Sequence, residues 1–240
     1  MENALFIGLS KQVALRSNMD VIANNVANGN TVGYRGQNLM FRAFLEKPTG
    51  HDRDYSYVVD FGQYDNTDPG PLQKTSNPLD VALVGPGFMG IQSGDQTVYT
   101  RAGNFVISPN GQLTTPAGDP VMSADGGAIT IPEDAGAIRI TENGTIASDE
   151  GEIGQLMIVE FENPQSLTPF GKVAYTTQED PLPATDTVVR QGFLEGSNVN
   201  MISEMTKMIA GLRQYKGVSS LVNDEDERQR TAIRRLLSEQ

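Results

Sequence analysis

The stretch Asp80-Val81-Ala82-Leu83-Val84-Gly85-Pro86-Gly87-Phe88-Met89-Gly90 decides between two folds. An apolar run leads into glycines spaced G-x-G-x-x-G, which open a dinucleotide site when a helix begins there and offers free N–H groups to a pyrophosphate. The chain continues instead with Ile91-Gln92-Ser93-Gly94-Asp95, a strand and then a turn, and Pro86 removes a donor. The glycines therefore read as a tight strand-to-strand bend, and a doubly wound α/β fold is set aside.

Outward from this bend the middle of the chain reads as β. Strands are expected over 80–84, 88–92, 96–101, 155–161 and 172–177, with Ser93-Gly94-Asp95 as a turn. Asn110-Gly111 and Asn143-Gly144 are strong hairpin signals. A faint repeat accompanies them. Asn110-Gly111-Gln112-Leu113 leads to Gly118-Asp119, and Asn143-Gly144-Thr145-Ile146 leads to Gly151-Glu152 at the same spacing. One hairpin module used twice fits an antiparallel sheet or a small barrel.

The ends have a different character. All 13 prolines fall between Pro48 and Pro183, so both ends are free to be helical. Leu5, Gly8, Gln12, Leu15, Met19, Ile22 and Val26 follow steps of three and four, and Asn28-Gly29-Asn30 supplies a stop. Met201, Met205, Met208, Leu212, Tyr215, Ser219 and Val222 repeat the spacing, with Ile202 and Ile209 widening the stripe and Ser197-Asn198 as a cap. Asp224-Glu225-Asp226-Glu227 followed by Arg228, Arg230, Arg234 and Arg235 predicts a last short helix, its acids and bases matched to the macrodipole. Two such stripes most simply pack on each other within one chain. They are narrow, however, and a two-helix pair buries too little to hold alone, which argues for neighbours.

Composition narrows the function. The net charge is −12, and residues 48–190 hold 20 acidic and 6 basic side chains, so no basic surface for nucleic acid is expected. No apolar run approaches the roughly 20 residues of a transmembrane helix. Cysteine is absent and His51 is the only histidine, which removes disulfides, thiolate chemistry, a histidine triad and a two-histidine metal site. The acidic turns at 125–127 and 149–152 lack the calcium-loop frame and read as solvated acids. With 30 acids, a chance carboxylate pair suggestive of glycoside hydrolysis carries no weight. No catalytic, cofactor or metal site is expected.

Three blocks carry a family resemblance. Asp20-Val21-Ile22-Ala23-Asn24-Asn25-Val26-Ala27-Asn28 with Thr31-Val32-Gly33-Tyr34-Arg35 resembles the N-terminal signature of bacterial flagellar rod and hook proteins. Glu195-Gly196-Ser197-Asn198-Val199-Asn200 with Glu204-Met205 and Met208-Ile209 resembles their terminal motif. Asp80-Val81-Ala82 through Gly87-Phe88 and Tyr99-Thr100-Arg101-Ala102-Gly103 look like their central domain. The compact middle and the opening residues resemble the proximal rod branch, with the distal rod branch as the alternative.

The resemblance implies an α+β fold, with N- and C-terminal helices (1–35 and 197–240) as a coiled-coil-like inner domain. An extended linker (36–78) and a mainly antiparallel β insert (79–190) complete it. It implies a structural subunit of the basal-body rod that polymerises through its terminal helices, transmits torque and encloses the export channel. Expected partners are itself, other rod subunits and the flagellar type III export apparatus. The expected location is the basal body in the periplasmic space, reached without a cleaved signal peptide or membrane insertion. Leu15, Met19, Ile22, Asn24, Asn25 and Val26, with Met201, Met205, Met208, Leu212 and Tyr215, are the expected assembly interface. The rival from another class is a β-domain enzyme or carbohydrate-binding module on a helical stalk.

Overall fold

The proline-free ends are helices: α1 (Glu2–Ala27) and α2 (Met201–Ser238). Between them every paired strand of the computed structural model is antiparallel, so the fold is α+β. The structure describes residues 2–46 and 55–238, and His51 and the side chain of Leu5 lie outside the described part. The chain divides into two units: residues 1–27, 37–66 and 200–240, and residues 28–36 and 67–199.

The helical unit is an antiparallel helix pair with a hairpin. A Cβ at Gly8 would stand 2.7 Å from Val222, and one at Gly211 would stand 3.4 Å from Met19, so small residues let the helices approach closely. The hairpin pairs β1 (Gln37–Glu46) with β2 (Tyr55–Asp65), with a bulge at Met40/Phe41. The expected 36–78 linker is thus divided: its hairpin joins the helices, and β3 (Leu72–Lys74) pairs with Phe193–Glu195 in the other unit.

α2 runs unbroken through Asn223, where a separate short helix was expected. Nothing there breaks a helix, and Glu225–Arg228 and Asp226–Arg230 ion pairs at 2.8 and 2.9 Å bridge the region. Its cap is Asn200, whose Oδ1 accepts the Ser203 N–H at 3.1 Å. Ser197 and Asn198 serve the preceding loop instead.

In the second unit β4 (Val81–Val84) runs into the Gly85–Gly87 bend and out as β5 (Phe88–Ser93), which turns into β6 (Gln96–Thr100). β5 and β6 lie at the centre of a six-stranded sheet. Alternation gives this sheet two buried faces. Met89, Ile91 and Val98 join Val81, Val121, Ile146 and Leu156 in the main core. Phe88 and Tyr99 point the other way into an aromatic cluster with Phe161 and Tyr175, in tilted and edge contacts at 5.0–5.8 Å.

The faint repeat is real at the level of hydrogen bonds. Gly111 N–H bonds Ser108 O at 2.9 Å and Gly144 N–H bonds Thr141 O at 3.0 Å. Ser108 N–H bonds Gln112 O, and Thr141 N–H bonds Thr145 O. In each, the hydroxyl of the first residue accepts the N–H four residues on at 3.1 Å. Leu113 and Ile146 then fill the core from the equivalent position.

Candidate functional site

The three sequence blocks converge on one buried cluster in the second unit. Arg35 stands two residues after the first block's Gly33, Arg101 directly follows β6, and Glu195 ends the strand paired with β3. Glu195 Oε2 accepts Arg101 Nη1 at 3.3 Å, and Oε1 lies 3.7 Å from Arg35 Nη2 and accepts the Gly70 N–H at 3.0 Å. The three side chains are 6%, 2% and 3% exposed. Both guanidiniums stand over the Phe88 ring, at 5.8 and 5.0 Å. Arg101 also donates to Leu83 O and Gly85 O, and Arg35 to Thr67 O.

Burial lowers the Arg101 pKa to about 10, with Glu195 pulling it back up. Backbone bonds lock the segments around the cluster: Gly33 N–H to Glu195 O, Asn198 N–H to Tyr34 O, Gly196 N–H to Pro71 O. Asn198 adds two more, accepting Gly36 N–H and donating to Asp68 O. Gly33, at φ +68°, has no room for a side chain, because a Cβ would lie 2.4 Å from Ala102 N. The cluster opens on a cavity of about 570 Å³ walled by Pro69, Leu72, Val84, Pro86, Phe88 and Pro164.

The expected interface residues separate into two groups. On α1, Ile22 and Asn25 are buried and Leu15, Met19 and Val26 half-buried, whereas Asn24 is exposed. Asn25 closes a two-way bridge to Gln37, donating to its O at 2.8 Å and accepting its N–H at 2.9 Å, and also reaches Glu204. These residues are therefore largely occupied within the chain. On α2 the covered line is Glu204, Met208, Gly211, Tyr215, Val218 and Val222, in steps of four and three. Of the expected assembly residues, Met208 and Tyr215 lie on this covered line and Met201, Met205 and Leu212 lie off it. They face outward at 38%, 55% and 44% exposure, next to Ile202 and Ile209. Phe6, Leu9 and Val13 form a second exposed line on α1.

A salt-bridged acid and a glycine floor the seam within the chain, which leaves Met201, Met205 and Leu212 exposed. The ion cluster was missed altogether. Its trace in the sequence is a charged residue beside small or apolar neighbours in each block: Arg35 after Gly33-Tyr34, Arg101 before Ala102-Gly103, and Glu195 between Leu194 and Gly196.

The G-x-G-x-x-G segment runs directly into β5, and the Gly87 N–H is taken by Thr187 Oγ1 at 2.8 Å. Among the described residues no helix is long and apolar enough to cross a membrane.

An antiparallel β unit strung between terminal helices that display unpartnered apolar lines defines a structural subunit of an assembly. Three family models match it in chain order: "Flagella basal body rod protein" over 7–35, "Flagellar hook protein FlgE/F/G D1 domain" over 82–148, and "Flagellar basal body rod FlgEFG protein C-terminal" over 190–235. Each contributes one member of the ion cluster. A flagellar basal-body rod protein FlgF of Caulobacter vibrioides is 36% identical, with 98% of each chain covered. FlgF of Salmonella typhimurium is 33% identical over 95% of each, and FlgG of Bacillus subtilis is 31% identical over 95% of this chain and 96% of its own. The chain belongs to the flagellar basal-body rod protein family and is a structural rod subunit of the flagellar basal body.

Proposed function

We propose that the subunit polymerises through its terminal helices within the proximal rod, contacting copies of itself and other rod subunits. In this reading the assembled helices transmit torque and enclose the export channel, and the protein arrives in the periplasm through the flagellar type III apparatus. The observation that carries the reading is the exposed line of Ile202, Met205, Ile209 and Leu212 on α2. An apolar stripe of this length in water favours burial against another helix. The exposed Phe6, Leu9 and Val13 on α1 supply a second surface of the same kind.

The helix pair within the chain does not remove the need for neighbours, since its seam is built on Gly8, Gly211 and a buried Glu204. The −12 net charge, concentrated in the β-rich middle, keeps the subunit soluble while the helices associate. FlgF-named relatives favour the proximal position, and FlgG-named relatives at 31% and 32% identity support a distal position as the second reading.

The test is Leu212→Asp. The residue is exposed in the monomer, so secretion and monomer stability should stay normal, whereas a carboxylate buried in an assembled seam would disfavour it strongly. The variant should be missing from isolated basal bodies, in non-motile cells. Motile cells with the variant in their rods would sink the helix-face assignment.

A further inference from the structure

We propose that the cavity over Arg35, Arg101 and Phe88 receives a carboxylate on an apolar stem, supplied in the assembled rod by an acidic side chain of a neighbouring subunit. The inference rests on the rod reading above for the source of the carboxylate, and on the cavity alone for its chemistry.

Four observations lead to it. Two guanidiniums share one carboxylate, so the cluster is a buried site of net charge +1. Arg35 and Arg101, both more than nine-tenths buried, line the cavity, so each guanidinium there is poorly solvated and sensitive to added negative charge. Among the described residues Glu195 is the only acid that lines the cavity. Glu160 acts on Arg101 only at a distance, its Oε1 being held by the Asp186 N–H and the Thr187 hydroxyl. Finally, the walls are proline, leucine, valine and phenylalanine, and about 570 Å³ lies within the size range of ligand pockets. Apolar walls with two arginines among the lining match a carboxylate at the end of a methylene stem.

Charge complementarity selects the source. The unit that contains the pocket, residues 28–36 and 67–199, carries 17 acidic side chains and only six basic ones, two of them in this cluster. Each copy thus presents many exposed acids, including Glu133, Asp134, Glu150 and Glu152, and one recessed cationic hollow. A second copy is the simplest bearer of the missing charge. The pairing is directional, an acidic turn of one subunit entering a pocket of the next, which suits an assembly that extends.

The experiment has two arms on the full chain. In the first, methyl resonances of Leu72, Leu83 and Val84 in the purified monomer are followed while sodium hexanoate, hexanol or hexylamine is added. Hexanoate should give saturable shifts with at least ten-fold higher affinity than hexanol, and hexylamine none. Val84→Trp and Leu72→Trp, which fill the mouth from two different strands at exposed positions, should each abolish the response. Equal responses to hexanoate and hexanol would overturn the carboxylate assignment.

In the second arm, p-benzoylphenylalanine replaces Val84 in cells and basal bodies are isolated after irradiation. A crosslink to an Asp- or Glu-bearing segment of another subunit supports the proposal. Crosslinks confined to the same chain, or to a small molecule, overturn the neighbour as source. Val84→Trp protein that still enters rods and sustains swimming overturns the docking while leaving the rod reading intact. Absence of the unaltered protein from rods would overturn the rod reading instead, with the hexanoate result still standing on its own.

Discussion

Glu195 holds two arginines with one carboxylate, so removing its charge leaves two buried guanidiniums facing each other. Glu195→Gln keeps the shape and an oxygen for the Gly70 N–H. Breaking one side of a buried ion pair typically costs about 3–5 kcal/mol, and the variant should lose about that much in urea unfolding of the intact chain. A loss below about 1 kcal/mol would mean that the cluster is stabilised by its backbone and Phe88 contacts alone. Two glycines of the bend give a second residue-scale test. Gly85 has a positive φ of +128°, and a Cβ there would also lie 2.4 Å from Asp186 O. Gly87 is excluded from substitution by crowding, with Thr187 Oγ1 2.6 Å from the added carbon. Gly85→Ala should therefore destabilise by about 1–3 kcal/mol. Gly94→Ala, also at positive φ but with open space around it, should cost less, and equal losses would refute the crowding argument.

At the scale of elements, what was legible in the sequence is what local chemistry dictates. The Asn-Gly hairpins, the strand after the glycine bend and the proline-free helices could be read because each depends on residues a few positions apart. Asn200 as the cap and the unbroken α2 were not legible, because Ser197, Asn198 and Asn223 carry the same local signals as true caps and stops. The ion cluster was invisible for a different reason. Arg35, Arg101 and Glu195 are separated by 66 and 94 positions in the chain, and only the folded backbone closes them. The repeated hairpin offers a test at this scale. In Thr141-Glu142-Asn143-Gly144 the Gly144 N–H returns to Thr141 O, which puts Glu142 at the second turn position, where its equivalent is Pro109. Glu142→Pro should raise stability by about 0.4–1 kcal/mol by restricting the unfolded chain. A lowered urea midpoint would show that the two modules differ in backbone despite matching hydrogen bonds.

For the whole molecule, the two units should differ in how far each stands alone. Both hydrophobic clusters lie within residues 81–189, and the second unit contains them entirely. In the helical unit the buried apolar side chains among the described residues are Ala14, Val21 and Ile22, too few to offset the ordering of two long helices. Limited proteolysis of a verified dilute monomer should therefore cut α1 and α2 first and leave a core spanning at least residues 67–199. That core begins after the hairpin at 37–65, which belongs with the helices. Arg35 adds a sharper expectation, since residues 28–36 belong to the surviving unit although they are separated from it along the chain. A cut on each side of them should release no peptide. The fragment carrying Arg35 should stay bound to the core through size-exclusion chromatography, held by the Glu195 carboxylate, the Gly33–Glu195 backbone bond and Asn198. In Glu195→Gln the same fragment should elute separately, or after a much lower urea dose. Helices that resist cleavage in the monomer would show that the helix pair is stable before assembly, and the exposed α2 line would then dock as a preformed surface.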